Sequence, residues 1–193
     1  MKLEKMNRLF VIIITIVGMG YLLSACDSKN EAEIDYNLGN KYASQGKLED
    51  AVTAYQQAIA LDPNDAMAHV SLGNVYYNQG RLEDAIAQYQ QAIDIDPNYA
   101  DPHVNLGLAY YKHGKLEDTI AEYQQAIDIN PNDAMAHFYL SHIYSLKNEQ
   151  AQAIEHLQKA IVLDERMIEH YQTYKAFDNI RQTPEFQQLI NSQ

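Results

Sequence analysis

The stretch Ala66–Tyr99, AMAHVSLGNVYYNQGRLEDAIAQYQQAIDIDPNY, decides the fold, because the chain repeats it at a fixed step of 34 residues. Laid without a gap over Ala100–Asp133, it matches at 22 of 34 positions, LG, YY, LED and YQQAIDI among them. The same step backward reaches Ala32–Asp65, and forward it reaches Ala134–Met167. Four units thus run on without a linker or low-complexity break. A period of that size specifies a solenoid, in which each unit buries its apolar face only against its neighbours.

The spacing within a unit specifies two helices. Leu72, Gly73 and Tyr76 lie three or four residues apart and share one helix face, and Gly73 leaves room for a second helix to approach. Ala85, Tyr89 and Ala92 form the matching small-large-small stripe on that second helix. Gly46, Gly80 and Gly114 fall between the two helices, where a positive φ ends the first one; Asn148 takes that place in the fourth unit. The pairs Glu49-Asp50, Glu83-Asp84 and Glu117-Asp118 belong to a helix's first turn, where negative charge suits the dipole. DPN or NPN then closes a unit, because proline resists continuing the helix.

These residues resemble the tetratricopeptide repeat (TPR) pattern, W-x2-L-G-x2-Y, then A-x3-F, then P. The first unit reads Leu38-Gly39-x2-Tyr42, Ala51-x3-Tyr55 and Pro63; the second reads Leu72-Gly73-x2-Tyr76, Ala85-x3-Tyr89 and Pro97. The third reads Leu106-Gly107-x2-Tyr110, Thr119-x3-Tyr123 and Pro131. The fourth departs most, with Leu140-Ser141-x2-Tyr144, Ala153-x3-Leu157, and Glu165 in place of proline. Asp35, His69, His103 and His137 stand where the pattern has tryptophan. The resemblance implies an all-α, right-handed solenoid of helix-turn-helix repeats over 32–65, 66–99, 100–133 and 134–167.

Composition sets bounds on function. The 193 residues are 47% hydrophobic and carry a net charge of −12. Without the first 25 residues, 11 basic and 25 acidic side chains remain, giving −14. That balance argues against nucleic acid, whose phosphates draw affinity from Lys and Arg, and against electrostatic adhesion to anionic headgroups.

Residues 1–25 read as an export signal. Lys2, Lys5 and Arg8 precede the mostly apolar run Leu9–Leu23. As a helix this run would span about 22 Å, short of a bilayer core of about 30 Å, so a signal-peptide core fits better than a transmembrane helix. Leu23-Ser24-Ala25-Cys26 resembles the bacterial lipobox, which implies a diacylglycerol on the Cys26 thiol and cleavage before it. The alternative is an unpaired thiol in an uncleaved anchor. Cys26 is the chain's one cysteine, which excludes an intrachain disulfide. Only Asp27–Glu31 separates Cys26 from the first repeat, a reach of at most about 18 Å when extended, which holds the repeats close to a membrane. Residues 26–31 are therefore a lipidated cysteine and short tether, and the expected location is the bacterial cell envelope, facing the periplasm or exterior.

The tail, residues 168–193, lies outside the strict period and reads as a C-terminal cap. Thr183 is a helix cap with Pro184 at the first helical position, and Phe186, Leu189 and Ile190 share one face suited to covering the solenoid's last apolar edge. A docking peptide for a partner is the other reading of this segment.

No P-loop, GxGxxG, GxSxG, HExxH or CxxC occurs, so the sequence points to no catalytic residue and no cofactor. His69, His103 and His137 recur in register, but equivalent positions on successive helices stand about 8–10 Å apart while zinc holds its nitrogens at about 2 Å. They read as packing or surface histidines, not as a metal site. Tyr42, Tyr55, Tyr76, Tyr89, Tyr110, Tyr123 and Tyr144 read as repeat core.

The TPR resemblance also implies that the first helices line a concave groove for a partner peptide or helix. The face away from the Leu-Gly-Tyr stripe selects Tyr36, Asn40, Val70, Asn74, Tyr77, Leu108, Tyr111, Phe138 and His142, with Asn37, Asn105 and Tyr139 at the border. Val104, Ala43 and Ser145 share that face by period. Amides can bond a partner's backbone and rings supply buried area. Asn40, Asn74 and Asn105 partly resemble a TPR carboxylate clamp, but its cations are missing and Lys112 is the nearest, so a neutral or basic partner is expected. The leading expectation is a lipid-anchored adaptor for protein partners. A structural subunit of a constitutive envelope complex or homo-oligomer stands as the alternative, and an enzyme or metal protein would rest on the histidine register alone.

Overall fold

The computed structural model describes residues 28–168 and 175–191. The signal segment, Cys26 and Asp27 lie outside the described residues. The chain divides into two compact units, Met1–Val75 and Tyr76–Gln193. The first contains α1 (residues 28–44), α2 (Leu48–Leu61) and the beginning of α3 (Ala66–Asn78). The second contains the rest of α3, then α4 (Leu82–Ile95), α5 (Ala100–Lys112), α6 (Leu116–Ile129), α7 (Ala134–Leu146), α8 (Gln150–Leu163), a 3-10 turn at Lys175–Phe177, and α9 (Pro184–Asn191). Helices α4 to α8 each pack on the next in chain order. Among the described residues there is no strand, and no helix is long and apolar enough to cross a membrane. The expected all-α repeat architecture is what forms.

The turn inside each repeat is set by one residue of positive φ: 73° at Gly46, 76° at Gly80, 81° at Gly114 and 61° at Asn148. Around it the backbone closes two bonds at once. The Arg81 N–H donates to the Tyr76 carbonyl at 2.9 Å and the Gly80 N–H to the Tyr77 carbonyl at 3.0 Å; Lys115 and Gly114, Lys47 and Gly46, and Glu149 and Asn148 do the same. This is the Schellman pattern, which satisfies carbonyls that a helix end leaves open. A cation after the turn then settles on the tyrosine ring behind it: Arg81 at 4.2 Å from the Tyr76 centroid, Lys115 at 5.3 Å from Tyr110 and Lys47 at 5.8 Å from Tyr42. The fourth unit has Glu149 there, and it pairs with Lys147 at 3.2 Å instead.

The second helix returns closely enough that a glycine in the first is obligatory. A Cβ on Gly39 would lie 2.6 Å from the Tyr55 ring, and one on Gly107 would lie 2.5 Å from the Tyr123 ring. The fourth unit solves the same contact with another pair. Ser141 replaces glycine and Leu157 replaces tyrosine, both fully buried, and the Ser141 hydroxyl donates to the Ala153 carbonyl at 2.6 Å. In the third unit Thr119 replaces the usual alanine, and its hydroxyl donates to the Lys115 carbonyl at 2.8 Å.

The loops between repeats are Asx turns, more than proline stops. Asn64, Asn98, Asn132 and Arg166 each donate a backbone N–H to the side chain two residues earlier, on Asp62, Asp96, Asn130 and Asp164. The fourth loop therefore closes without the proline that Glu165 replaces. Asp65 then caps α3 through the N–H groups of Met67 and Ala68, and Asp133 caps α7 through Met135 and Ala136, at 2.9 and 3.1 Å in each case. Tyr99 stands at this place before α5 and makes no side-chain cap bond. Pro102 follows three residues later and has no N–H, so one of the two donors that such a cap serves is absent.

Two sequence readings change in detail. Residues 28–31 are already helical, so the stretch read as an extended tether rises only about 1.5 Å per residue there and brings the repeats nearer to residue 27. The tail caps as expected, and more of it takes part. Thr183 Oγ1 accepts the Phe186 N–H at 3.3 Å, and Phe186 and Leu189 join Phe177 and Ile180 in one core with Leu157, Ile161 and Phe138.

Gly107→Ala is expected to destabilise the protein by about 1–3 kcal/mol in urea titrations, since Tyr123 cannot withdraw from a packed core. Adding Tyr123→Leu, the fourth unit's solution, should recover part of that loss. Asp133→Ala should cost about 1 kcal/mol by the same measurement through the lost cap.

Candidate functional site

In the first unit, the sequence-selected positions on the first helices are wet to different degrees. Asn40 is exposed, and its Oδ1 accepts the Tyr55 hydroxyl at 2.7 Å, which fixes the amide's orientation. Tyr36 is half-buried with its ring 5.8 Å from that of Tyr55, and its hydroxyl accepts from Ser71 Oγ at 3.4 Å. Asn74 is exposed, whereas Val70 is 7% exposed and belongs to the core. Burial raises the pKa of the Tyr55 phenol, with the neighbouring Tyr36 adding to the shift and Ser71 opposing it, so Asn40 always meets an O–H donor.

In the second unit, Tyr77, Asn105, Leu108, Tyr111 and Tyr139 are half-buried and come from α3, α5 and α7. Beneath them Tyr89 and Tyr123 are each 1% exposed. The Tyr139 ring stacks on Tyr123 at 5.6 Å, and Tyr111 meets His142 edge-on at 5.3 Å. Burial raises the pKa of the Tyr123 phenol strongly, with Tyr139, Tyr77 and Tyr111 adding to it; Tyr89 is raised by burial and then by Tyr77. Five phenols from five successive helices thus share one region, and burial keeps the protons on Tyr89 and Tyr123. Lys112 places its ammonium 4.6 Å from the Tyr77 centroid. The cation nearest this face is therefore held by a ring of the face itself.

Phe138 and His142 require correction as open groove positions. They are 4% and 9% exposed, because the 3-10 turn brings Phe177 within 5.9 Å of the Phe138 ring and 6.2 Å of the His142 ring. Ser145 is fully buried beside them; its hydroxyl donates to Asn179 Oδ1 at 2.6 Å, and the Asn179 amide donates to the Ser145 carbonyl. Val104 likewise sits in the core with Tyr123, Ile127 and Leu140. The period could not show that the non-repeating tail covers Phe138, His142 and Ser145. The one sequence signal for that cover is the apolar pair Phe177 and Ile180, three residues apart.

The three registered histidines pack locally. His69 Nε2 lies 3.3 Å from the Pro63 carbonyl, His103 Nδ1 lies 2.7 Å from Glu122 Oε2, and His137 Nε2 lies 3.2 Å from the Pro131 carbonyl. Among the described residues, no group of three or more His, Cys, Asp or Glu side chains could hold a metal ion. Two hollows of the second unit, about 350 Å³ beside Pro131, His137 and Leu163 and about 320 Å³ beside Gln90, His103 and Glu122, include none of the selected first-helix positions.

Comparison with known proteins agrees with this geometry. The family described as TPR repeat matches residues 39–80, 73–114 and 108–147, and the one described as tetratricopeptide repeat matches 136–166, together well over half of the chain. No curated protein matches the sequence significantly. The crystal structure of MamA protein is similar at 26% identity and a TM-score of 0.68, over 84% of this chain and 85% of that one. YrrB, a TPR protein with an unusual peptide-binding site, shares the fold at 21% identity and a TM-score of 0.63, over 81% of each chain. The first TPR of Spaghetti bound to HSP90 peptide SRMEEVD does so at 23% identity and a TM-score of 0.58, over 60% of this chain and 91% of that one. The chain belongs to the tetratricopeptide repeat family, whose repeats are non-catalytic modules of protein–protein interaction.

Proposed function

We propose that this protein is a lipid-anchored adaptor of a bacterial cell envelope that holds a peptide or helix of a partner protein on the first-helix face of its compact unit Tyr76–Gln193. The observation that carries the reading is the face itself. Tyr77, Leu108, Tyr111 and Tyr139 leave ring and aliphatic surface half in water, above a floor of fully buried tyrosines that cannot give way. A partner gains by covering that surface, and Asn105 adds a group able to pair with its backbone. Two TPR proteins of the same fold have peptide sites or a bound peptide. The anchoring half of the proposal rests on the Leu23-Ser24-Ala25-Cys26 sequence, and two acyl signals suffice for stable attachment.

The partner chemistry follows from charge. The HSP90 peptide SRMEEVD carries three acidic residues. Here an acidic peptide would meet a chain of net charge −12, and the one lysine at the face already lies on Tyr77. A neutral or basic segment fits better.

The test is crosslinking capture from the native envelope, comparing wild type with a Tyr77→Ala, Leu108→Ala variant matched for fold by circular dichroism. A partner retained by wild type and reduced at least about tenfold in the variant is expected, corresponding to roughly 1.4 kcal/mol or more of lost contact. Equal capture by both would overturn the assignment of this face. Separately, Cys26→Ser should abolish incorporation of labelled fatty acid and move the protein out of the membrane fraction; continued membrane retention with no label in wild type would overturn the lipid anchor.

A further inference from the structure

The third and fourth repeats each place one side-chain pair, nineteen residues apart in the chain, between their two helices. In the third repeat it is His103 and Glu122, with Nδ1 and Oε2 at 2.7 Å. In the fourth the same two positions carry His137 and His156, whose Nδ1 atoms lie 3.0 Å apart with ring centroids at 5.2 Å. The two pairs differ in what they can hold: His103 faces a carboxylate, whereas two protonated imidazoles in the fourth repeat would set N–H against N–H.

The hydrogen bonds fix how many protons the fourth repeat can hold. The Pro131 carbonyl, 3.2 Å from His137 Nε2, requires a hydrogen on that nitrogen, which leaves Nδ1 as the acceptor. His156 Nδ1 must then be the donor. Folded, the pair can take one added proton with its bond intact; separated, the two rings take two. His137 is 3% exposed, and the Tyr144 ring stacks on His156 at 5.7 Å. Of the charged groups around them, Lys159 repels a second charge while Asp133 at the α7 cap and Glu155 attract it. Glu155 and Lys159 also pair with each other at 2.8 Å.

His142 is a third buried imidazole, carried by the same helix as His137. It packs between Tyr111 of α5 and Phe177 of the 3-10 turn, and the charges that follow Phe177 in the chain, Asp178 and Arg181, pair with each other at 3.2 Å. Helix α7 thus carries one buried imidazole at its contact with α8 and another between α5 and the 3-10 turn.

We propose that α7 is an acid-released latch: acidification frees it from α8 and from the C-terminal segment while the third repeat stays closed, uncovering Phe138 and Phe177. Burial lowers the pKa of His156 to about 4 from 6.5, with His137 and Lys159 adding to the shift, and lowers His137 and His142 as well. A folded pKa below the unfolded value means that the stabilisation is complete above about pH 6.5 and is lost progressively as the pH falls towards 4.

The test is hydrogen exchange by mass spectrometry on the full chain in detergent at pH 7 and pH 4.5, with rates corrected for the intrinsic effect of pH. Amides of α7 and α8 should lose protection by about tenfold or more relative to those of α5 and α6. His156→Gln keeps a neutral donor at every pH, and His156→Glu recreates the third repeat's pair; both should remove most of that excess. Equal loss of protection in α5–α6 and α7–α8 would overturn the proposal. So would an undiminished excess in the two His156 variants.

Discussion

The structure depends on one steric constraint: the two helices of a repeat approach so closely that a glycine backbone lies against an aromatic ring. Gly39 against Tyr55 and Gly107 against Tyr123 leave no room for a methyl group, and the tyrosines they meet are nearly inaccessible to water. This contact fixes the separation of the helix pair. The separation in turn fixes where the chain must turn, and the Schellman closure at Gly46, Gly80, Gly114 and Asn148 supplies that turn with its carbonyls satisfied. Dispersion across the contact does the holding, since a ring packed flat on backbone has partners over its whole face.

The same tyrosines link packing to function. Tyr123 is floor to the first-helix face as well as wall to Gly107, so the surface offered to a partner is as rigid as the core beneath it. A rigid aromatic surface needs little reordering on binding, which lowers the entropic cost of holding an extended segment. Because the floor phenols remain protonated, no phenolate charge lies beneath the face, and Lys112 beside it rests on the Tyr77 ring.

What the sequence revealed and what it concealed divide along physical lines. The helix pairs, the left-handed turn positions and the acidic first turns were legible because each depends on residues a few positions apart, and the 34-residue period let four copies corroborate one another. Asn148 is the clearest case: only register identifies it as the fourth copy of a glycine site, and its φ of 61° agrees. The covering of Phe138, His142 and Ser145 was not legible, because Phe177 and Asn179 reach them from a segment that has no other copy in the chain. Nor was the missing cap at Tyr99, since it becomes tolerable only through Pro102, and neither residue recurs at its position in another unit.

The fourth repeat shows how such an array can diverge without losing its fold. Its departures come in compensated sets. Ser141 is admitted by Leu157, which is shorter than tyrosine, and its hydroxyl finds the Ala153 carbonyl. Glu149 removes the cation–π partner of Tyr144 but gains Lys147. Glu165 removes the proline, and Asp164 closes the turn by accepting the Arg166 N–H and its guanidinium. Each change alone would leave a clash, an unpaired group or an open turn, and together they leave none of these. The His137–His156 pair differs in kind from those three. It satisfies both rings as neutral groups, where the same positions in the third repeat hold the histidine–carboxylate pair His103–Glu122. A repeat array transmits strain only to its nearest neighbours. A pair that weakens in acid therefore acts first on α7, α8 and the tail that covers them.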